Sequence, residues 1–113
     1  MDKDDDRYVG HMVDSARRIQ FHLAGKDRAV FDADEILRLG IIHLIQTIGE
    51  AARMVTADFQ KQHPEIPWPA IVGMRHRIVH DYLNVDFDIA WEVATRDIPS
   101  LIGALAPLLP ALP

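Results

Sequence analysis

Apolar residues recur at steps of three and four through Tyr8, Met12, Ala16, Ile19 and Leu23, with Asp14, Arg17 and Arg18 between them. That spacing predicts a helix with one buried face, ended by Gly25. After a connector over residues 27–32, a second series through Ile41, Leu44, Ile45, Ile48, Ala52, Val55 and Phe59 predicts a long helix. It starts near Asp34, a good N-cap, and stops at His63-Pro64. Gly49 within it costs about 1 kcal/mol relative to alanine, so it marks the close approach of another helix.

Prolines 64, 67 and 69 make a stiff connection, since proline is tolerated only outside a helix or in its first turn. A third helix follows through Ile71, Val72, Met74 and Ile78 and carries residues 75–82. Asn84 and Asp86 supply turn and cap chemistry before a fourth helix through Phe87, Ile89, Ala90, Trp91 and Val93. Asp97 and Pro99 repeat the cap signal, and residues 101–109 form a last short helix. No segment alternates with period two. The expectation is an all-α, up-and-down bundle of four to five helices in a single domain over residues 1–113. A long second helix beside a shorter first one leaves an apolar face for a second copy, which predicts a homodimer.

Composition narrows the class. With 49% hydrophobic and 26% charged residues the chain reads as a packed domain and not a disordered one. It has no cysteine, which excludes disulfides and thiolate metal sites. No run is long enough to span a membrane, and the acidic start, Asp2, Asp4, Asp5 and Asp6, is unlike a signal-peptide head. Residues 1–6 read as a flexible acidic tail on a cytoplasmic protein. The net charge of −5 argues against a protein that coats nucleic acid. Its distribution still leaves a small cationic site, because residues 75–82 hold Arg75, His76, Arg77 and His80 against one acid, Asp81.

That cluster is suited to phosphate chemistry. Arginine is a permanent planar cation that matches phosphate oxygens, and imidazole passes protons in both directions near neutrality. At about 100 degrees per residue, Arg75 would share a helix face with Tyr82, and His76 with His80. RNA supplies its own nucleophile, the 2′-hydroxyl. Cleavage therefore needs a base, an acid and a cation for the crowded phosphorane, with no metal. His80 suits the first or second role and Arg75 the third, giving a 2′,3′-cyclic phosphate.

The order Arg75, His76, three residues, His80, Asp81, Tyr82 resembles the signature of the HepT-like ribonuclease toxins of the HEPN superfamily. The flanks are similar too: Ile48-Gly49-Glu50-Ala51-Ala52, His63-Pro64-Glu65-Ile66-Pro67-Trp68, Gly73-Met74, Val85-Asp86 and Trp91-Glu92. The resemblance implies a HEPN-like helical dimer that cleaves RNA, the toxin of a toxin–antitoxin pair whose antitoxin is an MntA-like nucleotidyltransferase. It implies Arg75 and His80 as the catalytic pair, with His76 at the assisting polar position where asparagine is commoner. Tyr82 matches the tyrosine that the partner modifies with AMP, which puts charge and bulk beside the pair. Glu50 matches an acid usual in the long helix, where it would orient an arginine. No cofactor is implied.

Plainer readings stand beside these. Arg77 and Asp81, four apart, suit a surface ion pair. His76 and His80 could form half of a zinc site, with no third ligand evident. The cluster could also hold a nucleotide phosphate without cutting anything, making the chain a non-catalytic binding subunit of a nucleotidyltransferase. Trp68 and Trp91 read as core or interface anchors.

Overall fold

The computed structural model describes residues 3–81 and 83–110. Helix α1 (Lys3–Leu23) begins inside the expected acidic tail. Asp4, Asp5 and Asp6 form its first turn, where carboxylates complement the exposed amides and the positive end of the helix dipole. Asp5 is only 3% exposed. Its two oxygens accept from the amide and the hydroxyl of Thr56, each at 2.8 Å. Residues 3–6 are thus structured, in contrast to the expectation.

Gly25 ends the turn after α1 with φ 72°, a backbone region costly for other residues. The expected connector contains a helix, α2 (Arg28–Ala33), capped by Asp27, whose side chain accepts from the Val30 amide. Its Phe31 is fully buried against the Trp91 ring. Helix α3 (Glu35–Met54) starts at the Asp34 cap as predicted. It ends earlier than predicted. Val55 turns extended, and Thr56 caps a separate helix α4 (Ala57–Gln62), where its hydroxyl already accepts from the Phe59 amide. The apolar series ran through this corner because Val55 and Phe59 are buried on both sides of it.

The predicted third helix is two short ones, α5 (Trp68–Val72) and α6 (Met74–Ile78), bent at Gly73. Trp68 anchors α5, its indole N–H donating to the His63 carbonyl at 3.0 Å. The reason Gly49 is a glycine lies here: a Cβ on it would sit 3.2 Å and 3.3 Å from the carbonyl oxygens of Val72 and Ile71. After α6 comes an unpredicted antiparallel hairpin, β1 (Val79–Asp81) and β2 (Asn84–Val85). Helix α7 (Phe87–Glu92), capped by Asp86, runs through a π-helical segment, Val93–Asp97, into α8 (Ile98–Leu105). Asp97 therefore starts no new helix by side-chain capping. In the wide turn the Ile98 amide donates to the Val93 carbonyl, and the helix accommodates Pro99, which has no N–H to give. A 3-10 turn, Ala106–Leu108, follows.

The architecture is the expected all-α, HEPN-like bundle. Helix α1 packs on α3 and α8, and α3 carries α5 and α6 on another flank. The core is one cluster built from Met12, Ile19, Phe31, Ile41, Ile45, Ile48, Ile78, Ile98 and Leu105, all essentially inaccessible. Among the described residues no helix is long and apolar enough to cross a membrane.

Candidate active site

The predicted cluster is split between two kinds of backbone. Arg75, His76 and Arg77 lie on α6, whereas His80 lies on β1. The helix stops at Ile78 because β-branched Ile78 and Val79 favour extension and because Asp81 offers the backbone a local alternative. One Asp81 carboxylate oxygen accepts from the Leu83 amide at 2.8 Å and the Asn84 amide at 3.0 Å, and the other accepts from the Asn84 side chain at 2.8 Å. Such bonds compete with helix continuation. The Asp86 amide donates to the Ile78 carbonyl at 2.6 Å and closes the hairpin at its base.

The helical geometry expected for residues 75–82 therefore fails. His76 and His80 do not share a helix face, so the half-site spacing for zinc is gone, and no group of three or more metal-ligating side chains comes together among the described residues. The expected Arg77–Asp81 pair is also absent: Arg77 meets Asp97, at 3.4 Å, while Asp81 organises the turn. Sequence reasoning missed both partners. The Asp81–Asn84 spacing is the local signal that could have revealed the turn. The Leu83 amide, followed by the Asn84 side chain, holds the Asp81 carboxyl below its ordinary pKa; the Asn84 amide and His80 act in the same direction.

Arg75 is half-buried, its Nε enclosed without a hydrogen-bond partner among the described residues. By contrast, Arg7, Arg28, Arg53, Arg77 and Arg96 each hold a carboxylate of their own chain. His76 and His80 are exposed. His80, with Leu83, Asn84, Val85 and Asp86, lines an open concavity of about 450 Å³ beside the hairpin. Glu50 is exposed on α3 and pairs with Arg53 at 2.6 Å, so the arginine it orients is its helical neighbour and not one of the cluster. Tyr82 lies outside the described residues.

Of the three predicted residues only His80 lines this concavity; Arg75 and His76 stand on the adjoining helix α6, one a half-buried cation and the other an exposed imidazole. The family model described as ribonuclease HepT-like matches residues 12–108. A probable ribonuclease HepT of Thermococcus cleftensis is 38% identical over 73 residues, which cover 65% of this chain and 66% of that protein. A putative RNase of Methanocaldococcus jannaschii is 27% identical over 94 residues, 83% of this chain and 86% of that one. Another from Caldanaerobacter subterraneus subsp. tengcongensis is 29% identical over 94 residues, 83% and 84% of the two chains. No solved structure matches the chain significantly.

Proposed function

The chain belongs to the HepT-like ribonuclease family, and from that premise we propose that it is a metal-independent endoribonuclease acting through Arg75 and His80. The observation that carries the reading is the Arg75 guanidinium, which is half-buried and has neither a carboxylate nor a hydrogen-bond acceptor among the described residues, whereas the likewise unpaired Arg17 and Arg18 are exposed and Arg38 donates to backbone carbonyls. A positioned cation left free in this way is available to a substrate phosphate.

In the reaction a base takes the proton of the ribose 2′-hydroxyl, the resulting oxygen attacks the adjacent phosphorus, and the bond to the 5′-oxygen breaks. That oxygen takes a proton from the acid. The products are a 2′,3′-cyclic phosphate and a 5′-hydroxyl. His80 serves as base or acid, His76 assists, and Arg75 stabilises charge on the phosphorane oxygens. In a homodimer, two His80 side chains would divide the acid and base roles. We further place the protein in the cytoplasm as the toxin of a pair, silenced when an MntA-like nucleotidyltransferase adenylylates Tyr82. Each AMP unit would add a phosphodiester charge that competes for Arg75.

The test is cleavage of labelled RNA in excess EDTA by protein shown by mass to be unmodified at Tyr82. His80→Gln should lower kcat about 10²- to 10⁴-fold and Arg75→Ala about 10²- to 10³-fold, with cyclic-phosphate ends made by the parent. Treatment with the partner and ATP should abolish cleavage by the parent and spare Tyr82→Phe. Absence of cleavage by the folded, unmodified parent would leave phosphate binding by a non-catalytic subunit as the reading.

A further inference from the structure

Away from the hairpin, a cleft of about 490 Å³ lies between the C-terminal half of α1 and the N-terminal half of α3. Arg18 and His22 enter it from successive turns of α1. Lys26 follows because the left-handed Gly25 turns the chain back, with the Lys26 amide bonded to the Leu23 carbonyl at 3.0 Å. His43 faces them from α3. Between the two rows lies Gly40, where an added Cβ would meet nothing within 4 Å.

Two features distinguish this cleft from ordinary charged surface. Among the described residues Arg18 and Lys26, like Arg75, have no carboxylate partner, and Asp34, the acid that lines the cleft, is turned to the Leu37 amide as the α3 cap. Arg17 and Lys61 also lack a carboxylate among the described residues, so what marks the cleft is the convergence of Arg18, His22, Lys26 and His43 on one cavity of a chain of net charge −5. The second feature is Phe21, 78% exposed and edge-on to His22 at 5.3 Å. A cationic groove beside an exposed aromatic ring is the arrangement that holds single-stranded nucleic acid, with phosphates on the cations and a base on the ring.

We propose that this cleft is a second RNA-binding site, which grips the single-stranded substrate at a distance from the cut. The proposal rests on the ribonuclease reading for the identity of the ligand. Gly40 and Gly49, which abuts α5, are nine residues apart, hence roughly 14 Å along α3 and on opposite flanks of a backbone cylinder about 10 Å wide. An RNA that reaches both sites must therefore span at least roughly five stacked nucleotides at about 3.4 Å each. Short substrates cannot use the cleft.

The experiment measures binding of a labelled 12-nucleotide single-stranded RNA by full-length His80→Gln protein, with cleavage of the same RNA and of a tetranucleotide by chains retaining His80. In the binding background, Arg18→Gln with Lys26→Gln should reduce the salt slope of log affinity by about 1.4, two phosphates at about 0.7 each. Phe21→Ala should weaken binding about tenfold. Gly40→Gln, whose Cβ would meet nothing within 4 Å and whose longer side chain would occupy the cleft, should weaken it as well. A charge-matched control, Arg53→Gln with Arg96→Gln, should leave the slope unchanged. In cleavage, the cleft variants should raise KM for the 12-mer and not for the tetranucleotide.

Equal binding by parent and cleft variants, or an equal loss in the control, overturns the proposal while parental cleavage upholds the nuclease. Binding that depends on the cleft, with no cleavage by any chain, upholds the cleft and overturns the nuclease. A cleft that contacts only another protein would leave every RNA measurement unchanged, and that also overturns the proposal.

Discussion

Substituting alanine for two glycines of the same helix, Gly40 and Gly49, should move stability in opposite directions. Intrinsic helix propensity favours alanine over glycine by about 1 kcal/mol at either position. At Gly40 the new methyl meets nothing within 4 Å, so the full gain of about 1 kcal/mol should be realised. At Gly49 it would stand 3.2 Å and 3.3 Å from the backbone oxygens of Val72 and Ile71, atoms that move only if α5 moves. Overpacking of that kind costs about 1–3 kcal/mol, which outweighs the propensity gain and leaves a net loss of about 1 kcal/mol. The two variants should thus differ by about 2 kcal/mol. With a urea m-value near 2 kcal/mol/M, their unfolding midpoints at one fixed protein concentration should lie about 1 M apart. The displacement also has a functional reading, because α5 continues through Gly73 into the helix that carries Arg75. A shift of about 0.3 Å, at roughly a hundredfold per ångström of misplacement, lowers RNA cleavage about fourfold in Gly49→Ala. Equal midpoint shifts in the two variants would refute the close approach of α3 and α5 on which the reasoning depends.

Asp5→Ala should cost about 2 kcal/mol in urea unfolding, because it leaves both the amide and the hydroxyl of Thr56 without their acceptor. Asp5→Asn, which retains one acceptor oxygen, should cost less; equal losses would show that shape and not hydrogen bonding holds the corner. The Asp81 carboxyl titrates below its ordinary value of 3.8, so its turn bonds contribute fully above that pH and are lost as pH falls through the lower folded-state value. The Leu83 and Asn84 amide signals should accordingly stay constant from pH 7 to about 4 and change only below it. A transition centred at or above 3.8 would contradict the hydrogen-bonded turn.

The parts of the fold that were legible in the sequence were those where one local signal and the tertiary packing agree. Asp34 before an apolar series starts α3, Gly25 ends the turn after α1, and Asp86 caps α7. Residues 53–63 misled because Val55 and Phe59 continue the helical spacing across a corner that is set by a partner 51 residues away, Asp5. No local pattern contains that bond. The cluster was legible as a set of residue types and illegible as geometry. Arg75, His76 and His80 were recognised by type and order, yet a three-residue strand is too short to show alternation, and Asp81 suits an ion pair as well as it suits a turn. The cleft formed by Arg18 and Lys26 was not legible, because Arg18 read only as a polar position of the first helix and the convergence of side chains from α1 and α3 leaves no trace in residue order.

The bend after Ile78 separates what fixes the cation from what carries the imidazole. Arg75 is rooted in the bundle through buried Met74 and Ile78, while His80 rides on a hairpin joined to the body at Val79 and Asp86 and tied by one backbone bond at its base. Residues added to or removed from the turn would redirect the histidine and leave the arginine in place. Under the proposed role of His80, lineages could thus retune which phosphodiester is reached by editing an exposed tip, with no change to the packing that keeps the protein folded.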